Sequence, residues 1–252
     1  MIELDIKREI GYIILNRPER YNALNLNDYK DLDKTLGALS INPEVKVVII
    51  KGSGKSFCSG SDLNEFTKKN HIELRSDLEV VASVFKGISR CKKLVISAVQ
   101  GYALGGGCAI VAASDFAIAS EDACFILPEV DLNLFPMTIM PLIVRVVGMR
   151  KAFEMLFMGK KVNAEEAEKI GLVNFVVKRE DLYSRTDELA RKFCNMSNLI
   201  LEMGKEFFQI TQSMNYFDAI DVLGNLNTII WKHDKAQESI NKFLKKKEHK
   251  EN

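Results

Sequence analysis

Residues 47–63, VVIIKGSGKSFCSGSDL, contain Gly54-Lys55-Ser56, residue types that grip a nucleotide phosphate when backbone N–H groups curl around it and a lysine reaches its outer oxygens. That chemistry needs Gly-x-x-x-x-Gly-Lys-Ser/Thr with a helix starting at the lysine. Here the place of the first glycine falls to Ile49, inside an apolar run that reads as a strand. After Ser56 the chain continues Phe-Cys-Ser-Gly-Ser-Asp, a second turn rather than a helix start. The phosphate-loop reading fails on both counts, and taken alone the loop would be a polar turn with Lys55 in solvent.

Further along, VQGYALGGGCAIVAASDFAIAS sets a second glycine cluster, Gly105-Gly106-Gly107, after a second buried strand, with a small-residue helix expected at or just after the third glycine. Two strand ends that present backbone N–H groups, one of them at a helix N-terminus, suit a single oxygen that gains negative charge during a reaction. The spacing therefore points to an oxyanion hole.

The elements that must carry these loops alternate in the first two thirds of the chain. Strand candidates Ile10–Leu15, Val45–Ile50 and Leu94–Val99 are separated by helical patterns over Leu26–Leu39 and Leu74–Ser89. Such alternation implies an α/β fold with a largely parallel sheet. From about Glu180 onward only helical periodicity remains. No linker rich in proline, glycine or serine separates the parts, and a soft boundary is placed at residue 195, giving a core over 1–195 and a helical region over 196–252.

The 252 residues, 47% hydrophobic and 27% charged, are enough for one large domain with an appendage. Thirty-five basic against 34 acidic residues leave a net charge of +1, so no global field draws the chain to nucleic acid or an anionic membrane. Five scattered cysteines lack metal-site or disulfide-framework spacing and imply no metal and reduced thiols. The N-terminal MIELDIKREIGYIILN lacks the basic start and continuous apolar run of a signal peptide, and a cytoplasmic protein is expected. Residues 94–114 are uncharged, but Gln100 and the glycine triplet favour buried elements joined by a turn over a membrane span.

The pair SFCSGSDL and GYALGGGCAIVAASDFAIAS, followed by FILPEVDLNLFP and GKKVNAEEAEKIGLVNFVV, resembles the crotonase superfamily of enoyl-CoA hydratases and isomerases. The resemblance runs from IILNRPERYNALN to ESINKFLKKK. It implies a crotonase-like ββα-spiral core with a C-terminal α-helical trimerisation region, and a coenzyme A thioester as substrate with no separate cofactor. By that resemblance the thioester oxygen is held by the N–H groups of Ser61 and Gly106. Gly60 and Gly106 are needed for close backbone approach, and the Ser61 side chain is incidental. Each such donor contributes about 3–4 kcal/mol to an enolate as it forms.

Family hydratases add two glutamates. Here the first slot is Ala109, and the second is Glu129 in Leu127-Pro128-Glu129-Val130, whose apolar neighbours suggest a partly buried, catalytically poised carboxylate. Water addition benefits from two carboxylates, whereas moving a 3,4 double bond to the 2,3 position needs one base. The single acid favours Δ3,Δ2-enoyl-CoA isomerisation. The alternatives are an enoyl-CoA hydratase in which Asp62, Glu65, Asp131 or a bound ion or water substitutes for the missing acid, and a catalytically weak thioester-binding homologue. The resemblance further places coenzyme A along Arg20, Tyr21, Ala23, Gly60, Ser61, Asp62 and Leu63, with Phe243 and Lys246 of the last helix contacting it, often across subunits. Extensive apolar stripes in the helical region, including Leu199, Leu201, Phe207, Phe208, Ile220, Leu223 and Ile229, imply an interface, which the resemblance makes that of a homotrimer or a hexamer built as a dimer of trimers.

Overall fold

The computed structural model describes the backbone of residues 1–251 and the side chains of residues 1–245. The chain divides into two compact units, Met1–Asn195 and Met196–Asn252.

The first unit begins with β1 (Ile2–Lys7) and β2 (Ile10–Leu15), then α1 (Leu26–Ile41), β3 (Val47–Gly52), the short α2 (Leu63–Phe66), α3 (His71–Arg90) and β4 (Leu94–Val99). β5 (Tyr102–Leu104), α4 (Gly106–Ala113), β6 (Phe116–Ser120) and β7 (Cys124–Ile126) follow. The unit closes with α5 (Met140–Val147), α6 (Met149–Met158), β8 (Val162–Asn163), α7 (Ala164–Lys169), β9 (Phe175–Val177) and α8 (Leu182–Cys194). One sheet has the order β1-β2-β3-β4-β6-β9 and a second the order β5-β7-β8. In the larger sheet only the β1–β2 pairing is antiparallel.

The parallel strands are buried on both faces, which is why VVII in β3 reads as a continuous apolar run. On one face, Ile10, Val47, Ile49, Ile96, Ala98 and Ile118 meet Leu182 and Ala190 of α8. On the other, the core gathers Tyr29, Leu32, Leu36 and Leu39 of α1, Val84, Phe85 and Ile88 of α3, and the wholly buried α4. The uncharged 94–114 stretch is thus β4, β5 and α4, and no helix among the described residues is long and apolar enough to cross a membrane.

Element boundaries shift where local bonds decide them. β3 starts at Val47 because Val45 N–H donates to Asn42 O in the preceding turn, and it runs on to Gly52 because the register with β2 pairs that residue with Leu15. α3 starts at His71, ahead of its expected Leu74, because Asn70 caps the N–H groups of Ile72 and Glu73. α4 starts at Gly106, the middle glycine of the triplet rather than the third.

The second unit consists of α9 (Asn198–Thr211), α10 (Tyr216–Lys232) and α11 (Asp234–Glu251). Of the apolar stripe, Leu201 is buried, whereas Phe208, Ile220 and Ile229 are exposed, and α10 buries none of its residues.

Candidate active site

The site is built from three chain segments lying side by side. The first, after β2, makes a 3₁₀ turn at Pro18–Arg20 and then places Tyr21 and Asn22 in the left-handed region, φ 50° and 59°. Asparagine tolerates that conformation because its short amide bonds locally. Asn22 is fully buried: its Oδ1 accepts from Arg17 N at 2.8 Å, and its Nδ2 donates to Ser53 O, Ser56 O and Phe57 O at 2.9, 2.8 and 3.1 Å. One side chain thereby fastens the first loop to the end of β3.

The second segment, residues 58–62, is the middle one. Leu24 N–H donates to Gly60 O, and Asp62 N–H donates back to Leu24 O, both at 2.8 Å. On the other side Cys58 N–H donates to Tyr102 O, and Leu104 N–H donates to Cys58 O. Cys58 is buried, which pushes its thiol up to about 12 and keeps it protonated to donate to Asn22 O. Squeezed between two neighbours, Gly60 takes φ 90°, and a Cβ there would lie 2.8 Å from Leu104 O and 3.2 Å from Gly106 N. The glycine is thus required on both conformational and spatial grounds.

The third segment is the glycine triplet. A Cβ on Gly106 would sit 3.6 Å from Gly60 Cα and 3.7 Å from Ser61 N, so the Ser61 and Gly106 amides are brought together. Gly106 opens α4, where the first N–H groups have no intrahelical acceptor and the helix dipole favours negative charge. Among the described residues neither amide donates to a protein acceptor.

Glu129 lies in the 3₁₀ turn Pro128–Leu132 after β7, held by Leu134 N–H donating to its carbonyl at 2.9 Å. Its Oε1 is 2.8 Å from where a Cβ on Gly105 would be, so the carboxylate packs against the triplet. Its Oε2 is buried without a hydrogen-bond partner. Burial raises this carboxyl above its ordinary 4.5, the direction that makes a proton acceptor of moderate basicity. Ala109, one turn into α4, is fully buried and supplies no second acid.

Two of the three substitute carboxylates have partners elsewhere. Asp62 pairs with Arg17 Nη1 at 3.5 Å and accepts from Asn64 Nδ2 at 3.3 Å. Glu65 accepts from Leu26 N–H at 2.8 Å, at the start of α1. Asp131 faces the Gly159 turn, its Oδ2 3.6 Å from where a Cβ there would be.

Of the expected coenzyme A residues, Arg20 and Tyr21 are exposed on the first loop, Tyr21 edge-on to Tyr102 with ring centroids 6.2 Å apart. Ala23, Gly60 and Asp62 line the join of the first two segments, and the exposed Leu63 opens α2. Phe243 is exposed on α11 of the second unit, and the side chain of Lys246 lies outside the described residues.

The Ser61 side chain has a partner that its loop did not suggest: its Oγ is 2.9 Å from the hydroxyl of the fully buried Tyr29. That hydroxyl also lies 2.5 Å from the Cβ position of Gly106, beneath the second amide. Burial holds the phenol well above its ordinary value, and Glu129 adds to the effect. Sequence reading passed over Asn22 and Tyr29. The available signals were an asparagine in a tight turn, and one hydroxyl on the stripe Leu26, Tyr29, Leu32, Leu36, Leu39 that would need a partner once buried. Among the described residues no group of three or more histidine, cysteine or acidic side chains is placed to hold a metal ion.

A family model described as Enoyl-CoA hydratase/isomerase matches residues 5–252. A Short-chain-enoyl-CoA hydratase of Clostridium acetobutylicum is 36% identical over 205 residues, 81% of this chain and 78% of the relative. A peroxisomal Delta(3,5)-Delta(2,4)-dienoyl-CoA isomerase of Arabidopsis thaliana is 27% identical over 261 residues, 98% of this chain and 94% of the relative. The crystal structure of an enoyl-CoA hydratase from Mycobacterium smegmatis superposes with a TM-score of 0.94 at 30% identity, covering 97% of this chain and 96% of that one.

Proposed function

The chain belongs to the enoyl-CoA hydratase/isomerase family, and from that premise we propose that it is a Δ3,Δ2-enoyl-CoA isomerase with Glu129 as its single acid/base. One observation carries this reading: an unpartnered, buried carboxylate oxygen beside two converging amides, with alanine at the second acid position.

In the reaction the thioester carbonyl accepts from the Ser61 and Gly106 N–H groups. Glu129 takes a proton from C2, and the C2–H electrons form a C1=C2 bond while the carbonyl pair moves onto the thioester oxygen, giving a dienolate. The carbonyl then re-forms, the C1=C2 pair becomes the C2=C3 bond, and the C3=C4 pair takes the proton back at C4. Charge accumulates on the thioester oxygen as the proton leaves, and fixed donors aimed at that oxygen stabilise it there. The same carboxyl serves twice, so no second acid is required. Coenzyme A, part of the substrate rather than a resident cofactor, runs along Arg20, Tyr21, Ala23, Gly60, Asp62 and Leu63. Phe243 and Lys246 complete its contacts, across subunits in the assembled protein.

Assembly is proposed as a homotrimer or a dimer of trimers, supported by exposed Phe217 and Trp231 on a helix that buries nothing. Five unpaired cysteines suit a reducing, cytoplasmic setting.

Hydration of a 2-enoyl thioester is the second reading, favoured by relatives named as hydratases. Purified protein offered a panel of 2-enoyl and 3-enoyl thioesters separates the two. Turnover confined to 3-enoyl substrates is expected. Water addition at a comparable or higher rate would replace the isomerase with the hydratase, and binding without turnover would leave only a thioester-binding protein.

A further inference from the structure

We propose that Tyr29 is a positioning residue of the oxyanion hole: through one hydrogen bond to Ser61 and contact beneath Gly106, its phenol fixes the spacing of the two amide donors. The inference rests on the acyl-thioester reading above but not on which of its two reactions occurs.

Tyr29 is fully buried on α1, and Ser61 Oγ is the hydrogen-bond partner of its hydroxyl among the described residues. Of two hydroxyls in contact, the phenol is the stronger acid and the better donor. If serine donated instead, the phenolic hydrogen would be left buried without an acceptor, an arrangement folded proteins avoid. Tyr29 therefore donates to Ser61 Oγ, and the half-buried serine keeps its own hydrogen for the open side.

The bond acts on catalysis because of where its ends lie. Ser61 carries one amide of the hole, and the same phenolic oxygen occupies the space where Gly106 would carry a Cβ. α1 is anchored independently, by the Asn25–Asp28 capping box and by Leu32, Leu36 and Leu39 in the core. The loop at 58–62 has no helix or long strand of its own: backbone bonds hold its flanks to the first and third segments, and among the described residues Ser61 itself is bridged to Leu24. Tyr29 thus ties a loop amide to a rigid helix directly below its partner amide. Preorganised donors are effective only when held at the position the oxyanion will occupy.

The test uses three full-length variants, Tyr29→Phe, Ser61→Ala and the double variant. Each removes the bond, and phenylalanine keeps the buried ring on α1 while giving up the hydroxyl beside Gly106. Each is expected to lose roughly 10- to 100-fold in kcat, the scale of a misplacement of about 1 Å, with KM little changed. The infrared carbonyl stretch of a bound, isotope-labelled acyl-CoA should shift to higher frequency in all three as polarisation weakens. Stability should behave differently: Ser61→Ala orphans a buried phenol, whereas the double variant removes both partners and should approach wild type.

A kcat deficit and a carbonyl shift that persist in the restored double variant support positioning. An unchanged stretch and kcat in Tyr29→Phe, or activity that recovers with stability in the double variant, overturns it. Failure of wild type to bind acyl-CoA at all would instead remove the underlying reading.

Discussion

Replacing Asn22 by alanine should cost about 3–6 kcal/mol, although this side chain touches neither reacting atoms nor an ion pair. The substitution orphans Arg17 N–H, whose acceptor is Asn22 Oδ1, at about 1–3 kcal/mol. It also strips a donor from Ser53 O, Ser56 O and Phe57 O, of which Ser56 O keeps Gln100 Nε2 at 3.3 Å, for about 1 kcal/mol more. Finally, it forces a residue with Cβ and no compensating amide to hold φ 59°, at about 1–2 kcal/mol. Equilibrium urea unfolding at fixed protein concentration measures the sum. A loss below about 1 kcal/mol with an unchanged m value would show that the two loops are held by something other than this amide. The isosteric Asn22→Asp is a sharper version, since it keeps the acceptor and the tolerance of positive φ but sets a carboxylate against three carbonyl oxygens. Its folded-state pKa should be raised, so the native form binds the extra proton. Stability should then fall as pH rises through the window between the unfolded and folded values, and recover on acidification.

Glu129→Gln should lower turnover by roughly 10²–10⁴ while leaving coenzyme A affinity nearly intact, because it removes the proton acceptor and keeps the shape; wild-type rates in the variant would take Glu129 out of the mechanism. Since burial raises the Glu129 carboxyl, the native state holds that proton above 4.5 and stability declines as pH rises from there through the raised value. Glu129→Gln should therefore flatten this segment of a stability–pH profile and be more stable than wild type above it, and an unaltered profile would mean that Glu129 titrates like an exposed acid. Ala109→Glu should raise hydration relative to isomerisation, although mutual pKa shifts between two close carboxyls lower the total rate, and an unmoved ratio in folded protein would show that position 109 does not choose the reaction. Light scattering on dilute protein should report a trimer or hexamer, and a fully active monomer would refute both the assembly and a coenzyme A site shared between subunits.

What the sequence disclosed depended on how local the cause was. Ile10–Leu15 and Leu94–Val99 coincide with β2 and β4 because a strand buried on both faces must be apolar throughout. The two glycine clusters marked where the Ser61 and Gly106 backbones converge, because Gly60 and Gly106 answer to backbone geometry, which residue type reveals directly. Boundaries were less legible where one cap decided them, as Asn70 does for α3. The Tyr29–Ser61 hydrogen bond could not be read from the loop, because the hydroxyl partner stands on a helix far back in the chain and meets Ser61 only once the chain has folded. Asn22 was hidden for a similar reason: the carbonyls it binds belong to the end of another strand.

The glycine triplet has a consequence for how such a site can diverge. A Cβ at Gly105 would strike Glu129 Oε1, one at Gly106 the Tyr29 hydroxyl, and one at Gly107 the Cys58 carbonyl, at 2.8, 2.5 and 2.2 Å. Three adjacent positions are thus each vetoed by a different part of the site, and no single compensating change elsewhere frees more than one of them. Two residues on, Ala109 is a buried methyl on a helix of small side chains, free of that triple constraint. The geometry therefore separates a fixed stretch of backbone, which presents the proposed amide donors, from a nearby helix position that carries one small buried side chain. On the proposed reading, a change of reaction is more readily reached by substitution at position 109 than within the triplet, where each added side chain meets a neighbour.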